Sequence, residues 1–235
     1  WLKKEGYNTG DYDVKMTSKK LMSMIIKRRT NDPISSNNKP LDFLKLEEYQ
    51  FFWDNLPKKS KEKIIERWKY PKESIDLEKE GFSINGINFG NICILIQPSR
   101  EYDSNSLKDI HSPDLPPPHR YLAQYYWIEN KFKTHAICHI GKHGTLEWLP
   151  GKSVGLSVEC FPRIINPPVP IIYPFIVNDP GEGAQAKRRT HATIIDHLTP
   201  PLDRSELYGK LSMLEQSLDE YYEAKLLNSA RLNII

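Results

Sequence analysis

One glycine-rich segment gathers three side chains that bind metals or carry protons. They are His139, His143 and Glu147. The segment, residues 139–151, reads H-I-G-K-H-G-T-L-E-W-L-P-G. In a helix the three side chains would share one face, but each internal glycine would destabilise that helix by ~1 kcal/mol. We therefore predict a strand ending near Ile140 and then a glycine loop above its carboxyl end, where α/β sheets bind ligands.

The chemistry of this group has two functional interpretations and a structural one. Imidazole and carboxylate together suit a borderline divalent metal such as cobalt, nickel or zinc. The same groups suit removal of a proton from a bound nitrogen acid near neutral pH. Alternatively, the histidines only satisfy hydrogen bonds of the loop.

A second cluster, residues 178–189, reads N-D-P-G-E-G-A-Q-A-K-R-R. A glycine turn follows a predicted strand and leads into a helix, whose first N–H groups attract anions. Lys187, Arg188 and Arg189 fan around that helix, so they suit several carboxylates of one large ligand. Glu182 is a candidate base or ligand. The alternative is a solvated basic turn.

A third cluster lies on a stiff loop, residues 111–119, with the sequence H-S-P-D-L-P-P-P-H. Its prolines lower the entropy cost of holding His111, Asp114 and His119 in place. A further candidate, His197, ends the fourth predicted strand.

A short stretch that resembles a phosphate-binding loop fails the pattern. Gly151-Lys152-Ser153 needs a glycine five positions before Gly151, and Leu146 stands there. Pro150 also removes a backbone donor that such a loop requires. We therefore expect no ATP site on this chain.

Composition indicates an ordinary globular protein. The 235 residues are 39% hydrophobic and 27% charged, with a formal net charge of +3. A charge so near neutrality does not favour nucleic-acid binding. Three widely spaced cysteines form no disulfide framework, and no apolar run reaches the ~18 residues of a membrane span. We expect a reducing, cytoplasmic compartment, and an internal piece of a longer protein.

Local patterns predict the elements that must position these side chains. Predicted helices cover residues 18–29, 41–53, 58–68, 121–129, 184–189 and 203–227, the last capped by Asp203 with Glu206. Predicted strands cover 91–97, 135–140, 171–177 and 193–196, with Pro174 indicating an edge strand or a bulge. The alternation predicts an α/β fold, a layered sheet with flanking helices. We divide the chain into a mainly helical region (1–80), an α/β core (81–202) and a truncated C-terminal helix (203–235).

At these clusters the sequence resembles the family of cobaltochelatase large subunits (CobN type), relatives of the H subunits of magnesium chelatase. The shared blocks are H-S-P-D-L-P-P-P-H, H-I-G-K-H-G-T-L-E-W-L-P-G-K, Y-P-F-I-V-N-D-P-G-E-G-A-Q-A-K-R-R and I-I-D-H-L-T-P-P-L. Weaker matches are G-F-S-I-N-G, F-G-N and Q-P-S-R, after which Glu101 replaces the family's usual glycine. Residues 179–183 (D-P-G-E-G) and 196–201 (D-H-L-T-P-P) favour the cobalt branch over the magnesium branch.

This resemblance implies a ligase that forms nitrogen–metal bonds in cobalamin biosynthesis. It would insert Co(II), its substrate metal, into hydrogenobyrinic acid a,c-diamide. AAA+ chelatase subunits of the CobS/CobT or I/D type would hydrolyse the ATP with its Mg, which agrees with the failed phosphate loop. No nucleic acid and no membrane span are implied.

Within that function we assign roles by residue. The proposed catalytic residues are Glu147, His143 and Glu182. The proposed metal path consists of His139, His143, Glu147, His111, His119 and His197. The proposed macrocycle contacts are Lys187, Arg188, Arg189, Trp148 and Asn178. Trp148 and Tyr173 have ring stacking and core packing as alternatives.

Three other functions stay open at this point. The first is a magnesium chelatase H-type subunit acting on protoporphyrin IX. The second is a tetrapyrrole-binding paralogue without catalysis. The third, a zinc-dependent hydrolase, has no water-activating motif in its favour.

Overall fold

The structure, a computed structural model, describes residues 2–8, 17–27, 39–100, 112–141, 144–174, 180–196 and 208–227. In these residues the helices are α1 (Ser18–Lys27), α2 (Leu46–Asp54), α3 (Lys58–Trp68), α4 (His119–Asn130), α5 (Phe161–Ile165), α6 (Pro180–Arg189) and α7 (Lys210–Leu227). The strands are β1 (Asp42–Lys45), β2 (Gly81–Ile84), β3 (Gly86–Asn88), β4 (Cys93–Leu95), β5 (Ile137–Cys138), β6 (Ile171–Pro174) and β7 (Thr193–Ile195). This mixture confirms the predicted α/β class.

Across the described residues the strands form three small sheets. Strands β1 and β2 pair antiparallel, and β3 and β4 form a separate antiparallel pair. Strands β5, β6 and β7 form a parallel sheet with β6 in the centre. Since parallel strands end at the same edge, the segments after β5 and β6 start side by side. Those segments carry the first and second predicted clusters.

The prediction that Pro174 marks an edge strand or a bulge is wrong. Pro174 belongs to the central strand β6, where it stands opposite Ile195 of β7. It is the last residue of β6. At that position its missing N–H removes at most one hydrogen bond of the sheet, so a central strand tolerates it.

The predicted helix over residues 41–53 is wrong in its first part. Residues 42–45 form β1, with Leu44 opposite Phe82 of β2 and both side chains fully buried. Helix α2 starts only at Leu46. The apolar spacing fitted a helix, but pairing with a strand, in which Leu44 and Phe82 are 38 residues apart in the chain, overrides such local preference.

The main hydrophobic core crosses the domain boundary predicted at residue 80. It joins Leu44, Tyr49 and Ile64 to Phe82 and Leu122. Residues 1–196 form one compact unit and residues 197–235 a second one. A smaller cluster of Ile171, Tyr173, Ala186 and Ala192 packs α6 against the parallel sheet.

Helix α7 is the described element of the second unit. It begins at Lys210, after Gly209 with φ of +65°, so the helix predicted from Asp203 does not run through this point. The capping pair Asp203 and Glu206 lies outside the described residues. None of the helices in the described part of the chain combines the length and hydrophobicity of a membrane span.

Candidate functional site

Glu147 is a buried acid at the carboxyl edge of the parallel sheet. A 3-10 turn, Leu146–Trp148, carries it, and the fully buried Leu146 anchors this turn in the main core. Only 1% of the surface of Glu147 is exposed. Its Oε1 accepts hydrogen bonds from the Gly144 N–H at 3.0 Å and the Tyr173 hydroxyl at 3.3 Å. Its Oε2 is buried and accepts no hydrogen bond from the described residues.

His139 lies beside this acid, just after β5. Its backbone N–H donates to Ile172 O at 2.9 Å, and its ring meets the Tyr173 ring edge-on at 5.6 Å. Burial lowers the pKa of His139, while the charge of Glu147 acts in the opposite direction. The neutral imidazole, which binds metals and accepts protons, is therefore favoured.

Tyr173 is the residue around which the acidic groups converge. Burial raises its pKa above the usual tyrosine value, and the charge of Glu147 raises it further. The charge of Glu182, in the first turn of α6, adds to the effect. Tyr173 therefore stays a protonated hydrogen-bond donor. The structure thus brings His139 and Glu147 against Tyr173, and the charge of Glu182 acts on the same phenol.

A second set of polar side chains holds the loop that precedes Glu147. Gln97 Oε1 accepts from Thr145 N at 2.7 Å and from its hydroxyl at 3.0 Å, and Gln97 Nε2 donates to the Tyr125 hydroxyl at 2.7 Å. Tyr121 lies 3.0 Å from the same Thr145 hydroxyl and stacks on Tyr125. Burial raises the pKa of Tyr125 to about 12. Gln97 has no predicted role, although its position as a polar residue at the end of the predicted strand 91–97 was a signal.

Arg189 does not face a ligand, contrary to its predicted contact with macrocycle carboxylates. Its guanidinium donates to the carbonyl oxygens of Glu147 at 2.6 Å, Leu149 at 2.7 Å and Lys152 at 3.1 Å. Burial lowers its pKa, and 7% of its surface is exposed. Its Nε, Nη1 and Nη2 each donate to a backbone carbonyl between residues 147 and 152, so Arg189 fixes the segment that carries Glu147. Lys187 and Arg188 are exposed, and their predicted contact stays a prediction.

Arg100, in the Q-P-S-R block, is a second buried arginine that binds backbone carbonyl groups. It is fully buried and donates to Trp148 O at 3.3 Å, to Ser112 O at 2.8 Å and to Leu115 O. It thereby ties the proline-rich loop to the turn of Glu147. The half-buried side chain of Trp148 does not line the cavity described below, and its stacking on a ring stays a prediction.

His119 is a core residue, which disagrees with its prediction as a metal ligand. Its Nδ1 lies 2.9 Å from the Tyr49 hydroxyl and its Nε2 lies 3.0 Å from Lys69 O. The rings of Tyr49, Trp53 and Phe82 surround it. Burial lowers its pKa to about 4. Both ring nitrogens already have protein partners, so neither is available to a metal.

Other predicted site residues lie outside the described residues. They are His111, His143, Asn178 and His197. Within the ranges that the structure describes, no three His, Cys, Asp or Glu side chains are grouped to hold a metal ion. The predicted metal path therefore stays a prediction. The three cysteines are all free.

A cavity of about 270 Å³ opens beside the site. His139, Gly144 and Tyr173 line one side, and Gln97 and Gln124 add amide groups. Apolar side chains from α4 and the strands complete its wall. At ~30 Å³ for each water molecule this volume corresponds to about nine waters. It admits the edge of a large planar ligand or one of its side chains.

Comparisons with known proteins agree on one family. The family model described as CobN/Magnesium Chelatase matches residues 1–235. The aerobic cobaltochelatase subunit CobN of Sinorhizobium sp. is 44% identical over 234 residues, which are 100% of this chain and 18% of that protein. The H subunit of magnesium chelatase from Chlorobaculum parvum is 36% identical over 223 residues, 94% of this chain and 17% of that protein.

A solved structure extends this agreement to the fold. The catalytic subunit of cobaltochelatase from Mycobacterium tuberculosis matches with a TM-score of 0.71 and 36% identity. The match covers 99% of this chain and 20% of that one. The chain thus spans about a fifth of the length of the relatives it matches.

Proposed function

Because this chain belongs to the CobN/magnesium chelatase family, we propose that it is part of the cobaltochelatase subunit that binds the macrocycle and inserts Co(II). Identity to the CobN subunit, 44%, exceeds identity to the magnesium-chelatase subunit, 36%. The residues at 179–183 and 196–201 favour the same branch. The substrate in this proposal is hydrogenobyrinic acid a,c-diamide, a precursor in cobalamin synthesis.

The segment's task in this reaction is to accept a proton from the ring nitrogens. Insertion of Co(II) forms nitrogen–metal bonds and displaces the N–H proton of the corrin core, so that proton needs an acceptor. Glu147 and the neutral form of His139 are suited to this work and lie next to each other. The observation that carries the proposal is the buried Oε2 of Glu147, which accepts no hydrogen bond from the part of the chain that the structure describes. A buried acceptor without a hydrogen bond is costly and is typical of functional sites.

Recognition of the macrocycle needs more of the protein than the cavity. Its volume of about 270 Å³ suits a ring edge, so the rest of the ring must contact other surfaces. We assign its peripheral carboxylates to Lys187 and Arg188, which are exposed in the last turn of α6. The residues outside the described ranges (His111, His143, Asn178 and His197) keep their predicted roles in this proposal.

ATP hydrolysis belongs to AAA+ partner subunits in this proposal. The Gly-Lys-Ser stretch at 151–153 supports the assignment, because its backbone serves the fold. The N–H of Lys152 donates to Cys160 Sγ at 3.3 Å, and its carbonyl accepts from Arg189. A loop used in this way has no spare backbone donor at Lys152 for a phosphate.

The experiment is Glu147→Gln in the full-length protein, assayed with its partner subunits, ATP, Co(II) and the macrocycle. The amide keeps the shape and removes the basic oxygen. We expect insertion to fall by at least ~100-fold, the usual contribution of a general base, with macrocycle affinity unchanged. The matched control is Glu62→Gln, the same change on the exposed face of α3. A normal insertion rate in Glu147→Gln contradicts the proposal.

A second candidate, a magnesium chelatase H-type subunit, has the 36% identical relative in its favour. The two differ in metal and ring, so the full-length protein, with its partner subunits and ATP, is offered Co(II) with hydrogenobyrinic acid a,c-diamide and Mg(II) with protoporphyrin IX. Faster insertion of Co(II) supports the first proposal, and faster insertion of Mg(II) supports the second. Tight ring binding without turnover of either metal contradicts both and indicates a tetrapyrrole-binding paralogue.

A further inference from the structure

We propose that Tyr173 is a positioning residue that makes the two oxygens of Glu147 unequal, so that Oε2 is the atom that reacts. The inference rests on the proposed function and names the atom and the groups behind it. The Tyr173 ring lines the cavity, but its hydroxyl is directed at the carboxylate. It acts through the carboxylate, together with the Gly144 N–H.

Two donors converge on one oxygen of the acid. The Gly144 N–H and the Tyr173 hydroxyl bind Oε1 at 3.0 and 3.3 Å. A carboxylate oxygen that already accepts two hydrogen bonds has less electron density to offer a proton or a metal. Its partner Oε2 accepts none from the described residues. The reactive lone pairs are therefore on Oε2.

The sheet fixes the direction from which Tyr173 donates. Tyr173 lies on the central strand β6, opposite Ile194 of β7, and 1% of its surface is exposed. Because side chains alternate along a strand, its neighbour Ile172 points the other way and is 37% exposed. The edge-on contact with His139 restricts the ring further. A donor held this rigidly costs little entropy when it orients the acid.

Glycine at position 144 leaves space at Oε2. A Cβ atom built there would lie 3.3 Å from Glu147 Oε2 and 3.2 Å from Gln97 Oε1, closer than most such contacts. Gly144 also lines the cavity beside the site, together with His139 and Tyr173. Oε2 thus lies behind the part of the cavity wall that Gly144 forms.

The test is Tyr173→Phe in the full-length protein with its partner subunits, ATP, Co(II) and the macrocycle. The variant keeps the aromatic ring and loses the hydroxyl. We expect kcat for insertion to fall roughly 10- to 100-fold, the effect of losing one hydrogen bond to a charged group, with KM for the macrocycle unchanged. In a Glu147→Gln background the same change has no further effect, because the two residues act as one unit.

Tyr49→Phe is the matched control. It removes another fully buried hydroxyl, the one that binds His119 away from the site, so it reports the cost of such a change to stability alone. We expect its kcat to equal that of the unaltered protein. A second variant, Gly144→Ala, keeps Tyr173 and crowds Oε2. We expect it to lower kcat with ring binding intact, which tests the inference even if Tyr173→Phe misfolds.

The outcomes separate this inference from the proposed function. If Glu147→Gln is inactive while Tyr173→Phe inserts cobalt normally, the inference is wrong and the proposed function stands. If Glu147→Gln is active, the proposed function is wrong. A Tyr173→Phe loss of equal size in both backgrounds, or a normal kcat in Gly144→Ala, also overturns the inference.

Discussion

Replacing Arg189 by lysine keeps the charge and removes the planar fork that binds three carbonyl oxygens. Those oxygens belong to Glu147, Leu149 and Lys152, so one side chain fixes the backbone of the segment that carries the acid. An ammonium group is a single point and reaches one of them in good geometry. We therefore expect Arg189→Lys to open residues 146–152 locally.

The size of the effect follows from the bonds that are lost. Two hydrogen bonds from a charged donor disappear, each contributing ~1.5–3 kcal/mol. Water recovers part of this for the freed carbonyl groups, which leaves about 3 kcal/mol for local opening. At ~1.4 kcal/mol for each factor of ten, amide exchange in the segment becomes faster by roughly 100- to 200-fold.

Hydrogen exchange followed by mass spectrometry of the full-length protein measures this change. The informative amides are those of Trp148 and Leu149, which donate to Thr145 O and Leu146 O. The matched control is Arg188→Lys on the exposed neighbour, where we expect unchanged exchange. If Arg189→Lys left exchange unchanged and weakened macrocycle binding, the guanidinium would contact the ligand and the structural account would be wrong.

Two further perturbations test the surroundings of the site. His119 has its pKa lowered by burial to about 4, so its contribution to stability is present above its unfolded pKa of ~6.5 and is lost as pH falls toward 4. Hydrogen exchange of the α4 amides, corrected for intrinsic rates, measures the free energy of opening. We expect this free energy to be lower at pH 5 than at pH 7 by roughly 2 kcal/mol, and we expect His119→Phe to abolish the difference. A pH dependence of equal size in the variant would contradict this account. Gln97→Leu removes the acceptor of the Thr145 N–H and hydroxyl, so we expect insertion roughly 10-fold slower at unchanged ring affinity in single-turnover assays. An unaltered rate would mean that the loop holds Glu147 without Gln97.

The sequence predicted those elements whose signals are local. Helix α3 has its predicted bounds, Lys58–Trp68, because Pro57 and Pro71 bracket it and one apolar stripe lies between them. Strand β1 was missed because it is stabilised by pairing with β2, in which the partner of Leu44 is 38 residues away. Local sequence also does not show which strands pair with each other, so the strand that ends in Pro174 was predicted to lie at the edge of the sheet, although it is central.

In the candidate site, too, features with local signals were predicted and those that depend on distant contacts were not. The short stretch with Glu147 was found from residue types alone, because glycines argue against a helix there. Arg189 and His119 were misassigned, because neighbouring residues in the sequence do not show whether a side chain binds backbone carbonyls, packs in the core or contacts a ligand. Tyr173 was noted only as a stacking or packing ring. Its importance depends on meeting Glu147, 26 residues earlier in the chain.

Glu147 is held at both ends by one stretch of chain. Tyr173 binds its carboxylate and Arg189 binds its carbonyl, and both belong to residues 171–189. Because Leu146 also anchors the turn of Glu147 in the main core, a displacement of that stretch against the core would act on Glu147 from two sides. A force applied to α6 would therefore be transmitted to Glu147 through the hydrogen bonds of Tyr173 and Arg189, and it would shift the proton acceptor.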